Sequence, residues 1–138
     1  MAVLKAIPAG DGFFIAVTPV ARVLHYVFVT KLFRKTKEER HLFYRVNMAT
    51  LTVSTDEGAV YAGLGGRALS SRIVCQEVDP NAHPLGDGNK LIIAPGLLSG
   101  TGAPNGGRMS LGAKSPLTGT IKESNVGGAM GSKLGRLG

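Results

Sequence analysis

A glycine-rich stretch between residues 89 and 131 carries the chain's best candidates for chemistry. Arg108 follows the pair Gly106-Gly107, and a polar turn, Ser124-Asn125-Val126-Gly127-Gly128, comes shortly after it. Glycine has no Cβ and tolerates positive φ, so such turns bring main-chain amides close to a ligand, and successive free N–H groups bind anions. An arginine adds a planar fork of donors suited to phosphate. We therefore predict a cradle for an anionic cofactor rather than a catalytic centre, and we assign no catalytic residue.

The segments around this stretch indicate short strands and two helices. Short runs bounded by turn residues, some apolar and some alternating, favour strands. A longer segment that ends at Asp79-Pro80 favours a helix. We predict strands at 41–47, 51–55, 90–94, 107–114 and 120–124, and helices at 68–78 and 129–134. This order predicts an α+β fold, with short strands in mixed or antiparallel sheets and two small helices.

Length and composition limit the class of protein. The 138 residues are enough for one domain, and 43% hydrophobic residues argue against global disorder. The net charge of +7 is spread along the chain, which permits anionic partners but selects none. Aromatic residues make up 6% and Trp is absent, so there are few platforms on which bases could stack. We expect a cytoplasmic protein with no nucleic-acid partner.

Residues 1–40 differ from the rest and are expected to form a divergent apolar and basic extension. Gly12–Thr30 has about the length needed to span a bilayer, but Arg22 near its centre costs about 2.5–3.5 kcal/mol. The apolar residues only balance that cost, so a membrane span is not favoured, and Arg22 also interrupts any signal-peptide core. Some apolar residues of this segment fit one face of a helix, whereas its β-branched content favours a strand, so both structures stay open here. Residues 31–40 are expected to form an exposed linker.

Cys75 is the chain's single cysteine. One thiol excludes an intrachain disulfide and a self-contained iron–sulfur cluster, which usually takes four thiolates. Because Cys75 lies in the helix predicted at 68–78, we expect a buried and unreactive thiol.

Two other glycine-containing segments and one arginine suggest weaker alternatives. Gly63, Gly65 and Gly66 precede a helix, but their spacing does not match the dinucleotide-binding fingerprint. The segment 112–115 ends in Lys-Ser but lacks the glycine pattern of a phosphate-binding loop. Arg67 lies at a helix start, where the helix dipole disfavours a cation. Two interpretations of Arg67 stay open: an ordinary surface arginine, or one that reaches to another element.

The motifs GTGAPNGGR at 100–108, KSPLTG at 114–119 and SNVGG at 124–128, in this order and at this spacing, resemble the N-terminal domain of the aldehyde ferredoxin oxidoreductases. The upstream segments GLGGRALSSRIVCQEVDP and HPLGDGNKLII follow the same order. The resemblance covers about residues 41–133, and residues 1–40 lie outside it.

The resemblance implies a definite chemistry. Enzymes of this family hold tungsten, sometimes molybdenum, on two pyranopterin dithiolenes whose phosphates are bridged by magnesium. A [4Fe–4S] cluster passes electrons to ferredoxin as an aldehyde and water become a carboxylic acid. The N-terminal domain is the base that cradles the pterin. By resemblance, Arg108 would contact the pterin cofactor, Asn125 would lie at the cofactor with its main-chain carbonyl as a candidate magnesium ligand, and Gly127 would present its main chain to the pterin.

The chain also departs from the family pattern. The family's cluster cysteines and its second pterin motif lie downstream, and this sequence holds neither. We therefore expect residues 41–138 to be an N-terminal domain truncated at its C-terminal end: a fragment, a split subunit or a gene remnant. A separate catalytic chain would carry the cluster cysteines, with ferredoxin and an aldehyde as further partners. The alternatives are a non-catalytic remnant and a small basic module that binds phosphate or a nucleotide, so enzyme activity of this chain stays open.

Overall fold

The computed structural model describes residues 26–31 and 42–136. These residues form a six-stranded mixed sheet, in the order β3-β2-β1-β4-β5-β6, and two helices. The strands are β1 (Tyr26–Lys31), β2 (Leu42–Asn47), β3 (Thr52–Glu57), β4 (Leu91–Pro95), β5 (Met109–Lys114) and β6 (Ile121–Val126), and the helices are α1 (Gly66–Glu77) and α2 (Ala129–Arg136). The predicted α+β class is confirmed, with the strands joined in a single mixed sheet.

Strand β1 lies between β2 and β4. It pairs antiparallel with β2 and parallel with β4, whereas the β2–β3, β4–β5 and β5–β6 pairs are all antiparallel. In sequence, β1 falls within the segment 1–40, for which helix and strand were both open. Two hairpins form the ends of the sheet: β2–β3 at one end and β5–β6 at the other.

The predicted elements of residues 42–136 are confirmed to within about two residues at most ends. The linker expected at 31–40 begins inside β1 with Lys31 and otherwise lies outside the described residues. The segment Gly12–Thr30 also lies largely outside them. Within 26–31 and 42–136, neither helix combines the length and the apolar character needed to cross a membrane.

Helix α1 covers one face of the sheet and forms the core with it. Leu69 and Ile73, four residues apart on the same side of the helix, are fully buried. The other buried residues of this core are Phe43, Tyr61, Val74, Val78, Ile92 and Ala94. The prediction of a buried Cys75 was wrong, because its side chain is exposed. Cys75 is two residues beyond Ile73, about 200° around the helix, and so points away from the sheet.

A cluster of charged side chains closes the C-terminal end of α1. Glu77 accepts hydrogen bonds from Arg45 (2.6 and 2.9 Å), from the Tyr61 hydroxyl (2.9 Å) and from Lys90 (2.7 Å). Arg45 also pairs with Asp56 of β3. Burial alone would raise the pKa of Glu77, but the hydrogen bonds from Arg45, Lys90 and Tyr61 outweigh it and lower this pKa to about 2. The cluster therefore ties α1 to β2, to β3 and to the residue that precedes β4.

Helix α2 lies directly against the main chain of the loop that precedes β5. A Cβ at Gly131 would be 2.3 Å from the carbonyl oxygen of Gly107, and one at Gly135 would be 2.1 Å from that of Ser99. The loop is also held from within, since the Ser99 hydroxyl lies 2.7 Å from the Gly106 oxygen and 3.0 Å from the Arg108 oxygen. The glycines of α2 allow this contact, which fixes the main chain that leads to Arg108.

Candidate cofactor-binding site

The β5–β6 hairpin brings the two predicted polar site residues together. Its register places Met109 opposite Val126 and Ser110 opposite Asn125. Because Arg108 directly precedes β5 and Gly127 directly follows β6, the strand pairing also brings these two residues to the same end of the hairpin. Three residues predicted from sequence, separated by up to nineteen positions, thus converge on one corner of the sheet.

Arg108 and Asn125 are joined by a direct hydrogen bond. Nη1 of Arg108 donates to Oδ1 of Asn125 over 2.6 Å, and both residues are exposed. This contact uses one of the five N–H donors of the guanidinium. Since the amide is neutral, it orients the guanidinium without compensating its positive charge. The corner therefore presents an oriented cation to solvent.

The main chain beside this pair is open. Gly127 and Gly128 are exposed, and a Cβ placed at either would meet no heavy atom within 4 Å. Gly128 has a φ of +103°, a conformation that side chains other than glycine rarely adopt. Helix α2 begins at the next residue, and the first N–H groups of a helix have no partner within it. A flat or anionic ligand can approach the main chain here without meeting a side chain.

A second, more buried polar layer lies beneath the exposed pair. Ser110 is fully buried, and its hydroxyl lies 2.6 Å from Oε1 of Glu123. Arg67 of α1 pairs with Oε2 of the same carboxylate over 3.1 Å. The hydrogen bond from Ser110 and the nearby charge of Arg67 lower the pKa of Glu123 below its usual range, although partial burial opposes them. Arg67 thus reaches to another element, as one of its two interpretations proposed.

Sequence reasoning missed Ser110 and Glu123 as parts of the site. The signal that could have found them is the alternation of side chains along paired strands: residues 108, 110 and 112 of one strand share a face with 123 and 125 of its partner. That signal becomes useful only with the register of the hairpin, which the predicted strand ends did not fix.

The residues of this corner fit a phosphate-bearing cofactor with an associated magnesium ion. Arg108 supplies a guanidinium that is held by a neutral amide within the described part of the chain, and Gly127-Gly128 supply main chain that a ligand can reach. Asn125 lies in an edge strand and offers oxygen atoms, the ligands that magnesium prefers. The geometry brings Arg108, Asn125 and Gly127 together, and the assignment of each to a ligand is a proposal developed below.

Fold and corner together define a small α+β domain whose mixed sheet ends in a glycine-lined, positively charged edge. Residues 43–138 match the family model described as "Aldehyde ferredoxin oxidoreductase, N-terminal domain". The chain belongs to this family, and the resemblance seen in its glycine-rich motifs is confirmed.

Curated relatives agree with this assignment. The chain is 48% identical over 95 residues to the tungsten-containing aldehyde ferredoxin oxidoreductase of Thermococcus kodakarensis, and 45% identical over 95 residues to that of Pyrococcus furiosus, covering 67% of this chain and 16% of each relative. It is 41% identical over 93 residues to the enzyme of Pyrococcus horikoshii, covering 65% of this chain and 15% of that relative. The chain thus spans about a sixth of the length of the relatives that it matches.

Proposed function

We propose that this chain is the tungstopterin-binding N-terminal part of an aldehyde ferredoxin oxidoreductase. Arg108 would hold a phosphate of the pterin cofactor, the main-chain carbonyl of Asn125 would hold the associated magnesium ion, and Gly127 would let the pterin approach the main chain. The single observation that carries the proposal is the 2.6 Å hydrogen bond between Arg108 and Asn125 beside an open glycine pair. It supports the proposal because it holds a charged donor beside main chain that an anionic cofactor can approach.

The electrostatics of the corner support binding of an anion. A guanidinium held by a neutral amide keeps its full charge for a ligand, and a bidentate contact to phosphate adds geometric specificity. The nearest carboxylate in the described network, Glu123, is already bound by Ser110 and Arg67. Its charge is therefore partly compensated before any ligand arrives.

The complete reaction needs parts beyond this chain. When bound, the tungsten–pterin cofactor, or its molybdenum counterpart, supplies the redox chemistry that converts an aldehyde and water into a carboxylic acid. The residues of this chain bind and orient that cofactor. Cys75 is the one thiol of the chain and cannot ligate a [4Fe–4S] cluster by itself, so the cluster and its cysteines belong to a catalytic partner chain or further domains that reduce ferredoxin in the cytoplasm.

Cofactor content tests this proposal directly. The full chain would be produced together with a catalytic chain of the same family, in cells supplied with tungstate, and the complex recovered without oxygen. Tungsten would be measured by elemental analysis and pterin by the fluorescence of its oxidised form. We expect both in the unmodified complex, and at least a tenfold loss of both in Arg108→Ala, because the cofactor loses its charged contact.

The matched control is Lys122→Ala, which removes one positive charge from an exposed position of the same strand as Asn125. It should leave tungsten and pterin unchanged. Equal cofactor content in Arg108→Ala and in the unmodified complex would contradict the proposal. Binding of a nucleotide without any tungsten or pterin would instead favour the simple phosphate-binding module.

A further inference from the structure

The cofactor corner rests on an unbroken line of four side-chain contacts. Arg108 Nη1 lies 2.6 Å from Asn125 Oδ1, and Asn125 Nδ2 lies 3.4 Å from Ser110 Oγ. Ser110 Oγ lies 2.6 Å from Glu123 Oε1, and Glu123 Oε2 lies 3.1 Å from Nε of Arg67. The line runs from the exposed corner to helix α1, so it connects the surface pair to the body of the domain.

Donor and acceptor chemistry determines which atom donates in each contact of this line. A guanidinium only donates and an ionised carboxylate only accepts. Ser110 must therefore donate its one proton to Glu123, which leaves its lone pairs to accept from Nδ2 of Asn125. The amide nitrogen of Asn125 then faces Ser110, and the amide oxygen faces Arg108. The carboxylate at one end thus determines which atom of the amide meets the guanidinium at the other end.

We infer that Glu123 and Ser110 are positioning residues of the cofactor site, which hold the Asn125 amide in the orientation that binds and aims Arg108. The inference rests on the proposed function for its biological meaning, but the orientation itself is a property of this chain without a ligand. Burial supports the assignment, because Ser110 is fully buried and the Glu123 side chain is only 12% exposed, whereas Asn125 and Arg108 are exposed. A buried pair therefore underlies an exposed one.

Replacing the Glu123 carboxylate by an amide should exchange donor and acceptor in the hydrogen bonds of this line. In Glu123→Gln the new NH₂ group can donate to Ser110, which frees the serine proton to donate to Asn125. The Asn125 amide then turns its oxygen toward Ser110 and its nitrogen toward Arg108, and two donors face each other. Ser110→Ala removes the hydroxyl from the line without changing charge, so the Asn125 amide is held less firmly. Both variants should release Arg108 from its aimed position.

A purely electrostatic role for Glu123 predicts the opposite result for anion binding. Glu123→Gln removes a negative charge near Arg108, so simple charge effects would strengthen binding of inorganic pyrophosphate. Loss of positioning would weaken it by about tenfold, the lower end of the effect seen when residues that orient a ligating group are removed. The sign of the change therefore separates the two roles. Arg67→Gln is the matched control, because it removes the ion pair between α1 and β6 but leaves the carboxylate, the serine and the direction of the line unchanged.

The experiment uses the full chain without cofactor, labelled with ¹⁵N. The side-chain amide signals of Asn125 and the guanidinium signals of Arg108 are identified by their loss in Asn125→Ser and Arg108→Lys. We expect Glu123→Gln and Ser110→Ala to shift the Asn125 signals and to average the Arg108 Nη signals through faster rotation, while Arg67→Gln leaves both in place. Titration calorimetry with inorganic pyrophosphate should show weaker binding in Glu123→Gln and in Ser110→Ala.

Unchanged Asn125 and Arg108 signals in both Glu123→Gln and Ser110→Ala would overturn the inference. Equal changes in Arg67→Gln would also overturn it, because they would show a general effect of losing the contact with α1. If Glu123→Gln does not fold, Ser110→Ala decides alone, since it removes a single buried oxygen. An unmodified chain that binds no pyrophosphate would count against the proposed function, while the amide signals would still decide the positioning role.

Discussion

Two arginines of the same sheet are held in opposite ways. Arg45, at the β2–β3 end, donates twice to Glu77 and also pairs with Asp56, so two carboxylates neutralise it. Arg108, at the β5–β6 end, is held by the neutral amide of Asn125. The side chain of Arg45 is 26% exposed, whereas Arg108 is an exposed residue.

The difference separates a structural arginine from one that is available to a ligand. A guanidinium between carboxylates joins elements of the fold, and the protein's own carboxylates neutralise its charge. A guanidinium oriented by an amide keeps both its direction and its charge. The sheet thus has a closed end, where charges stabilise the fold, and an open end, where a charge is presented beside exposed glycines.

The largest expected effect is on the closed end. Glu77→Ala should lower the free energy of unfolding by about 3 kcal/mol, because it removes the partly buried carboxylate that Arg45, Lys90 and Tyr61 share. Chemical denaturation of the full chain measures this change. Asp87→Ala, which removes an exposed carboxylate from a loop, is the control and should change stability by less than about 0.5 kcal/mol.

Acid should lower the free energy of unfolding of the unmodified chain in the same way as Glu77→Ala. The pKa of Glu77 is lowered from 4.5 to about 2 in the folded state, so its contribution is complete above pH 4.5 and is lost as the pH falls from 4.5 towards 2. Glu77→Ala should lack this part of the acid dependence. An identical loss of stability in both proteins over this pH range would contradict the assigned role of Glu77.

A pair of glycines four residues apart should show the next largest effect. Gly131→Ala places a Cβ 2.3 Å from the carbonyl oxygen of Gly107, so α2 must move, and we expect a loss of about 2 kcal/mol. Gly127→Ala meets nothing within 4 Å and should leave the fold intact while weakening pyrophosphate binding at the open end. Denaturation and calorimetry on both variants check this contrast. Equal destabilisation by the two substitutions would contradict it.

Arg108→Lys tests whether the open end needs the shape of arginine or only its charge. Lysine keeps the charge but offers no planar fork, so binding of inorganic pyrophosphate should weaken by about tenfold, equivalent to about 1.4 kcal/mol. Stability should be unchanged, because the residue is exposed. Full affinity in Arg108→Lys would show that charge alone is sufficient.

The smallest expected effect concerns Tyr61 at the closed end. Burial and the hydrogen bond to Glu77 raise the pKa of Tyr61 to about 12, so the folded state keeps its proton more tightly than the unfolded state. Its contribution is therefore complete below pH 10 and lost as the pH rises from 10 to about 12. Tyr61→Phe should lose about 1 kcal/mol at neutral pH and should lack this alkaline dependence. Denaturation at several pH values measures both.

The open end could be predicted from sequence better than the network that supports it. Arg108 and Asn125 stand beside glycines in a recognisable order, and the hairpin that joins them follows from two short predicted strands on either side of the turn at 115–119. Ser110 and Glu123 gave no local signal, because their roles depend on the register of that hairpin and on the approach of α1. Cys75 was placed in the correct helix but on the wrong side, since the segment has too weak an apolar periodicity to define its buried face.

The closed end shows the same limit. Glu77 lies 32 residues from Arg45 and 13 residues from Lys90 in sequence, and their meeting depends on how α1 crosses the sheet. Nothing in the local pattern of any one of them indicates the others. For strand β1, the sequence left helix and strand both open, because its apolar residues fit the helical and the strand period. Its pairing with β2 and β4 determines its conformation.

The most direct test of the central claim is a structure of this chain in complex with its catalytic partner and the loaded cofactor. We expect an oxygen of a pterin phosphate within hydrogen-bonding distance, about 2.7–2.9 Å, of the Arg108 guanidinium, beside Asn125 and the main chain of Gly127. A cofactor bound elsewhere, with Arg108 in solvent and still bonded only to Asn125, would contradict it.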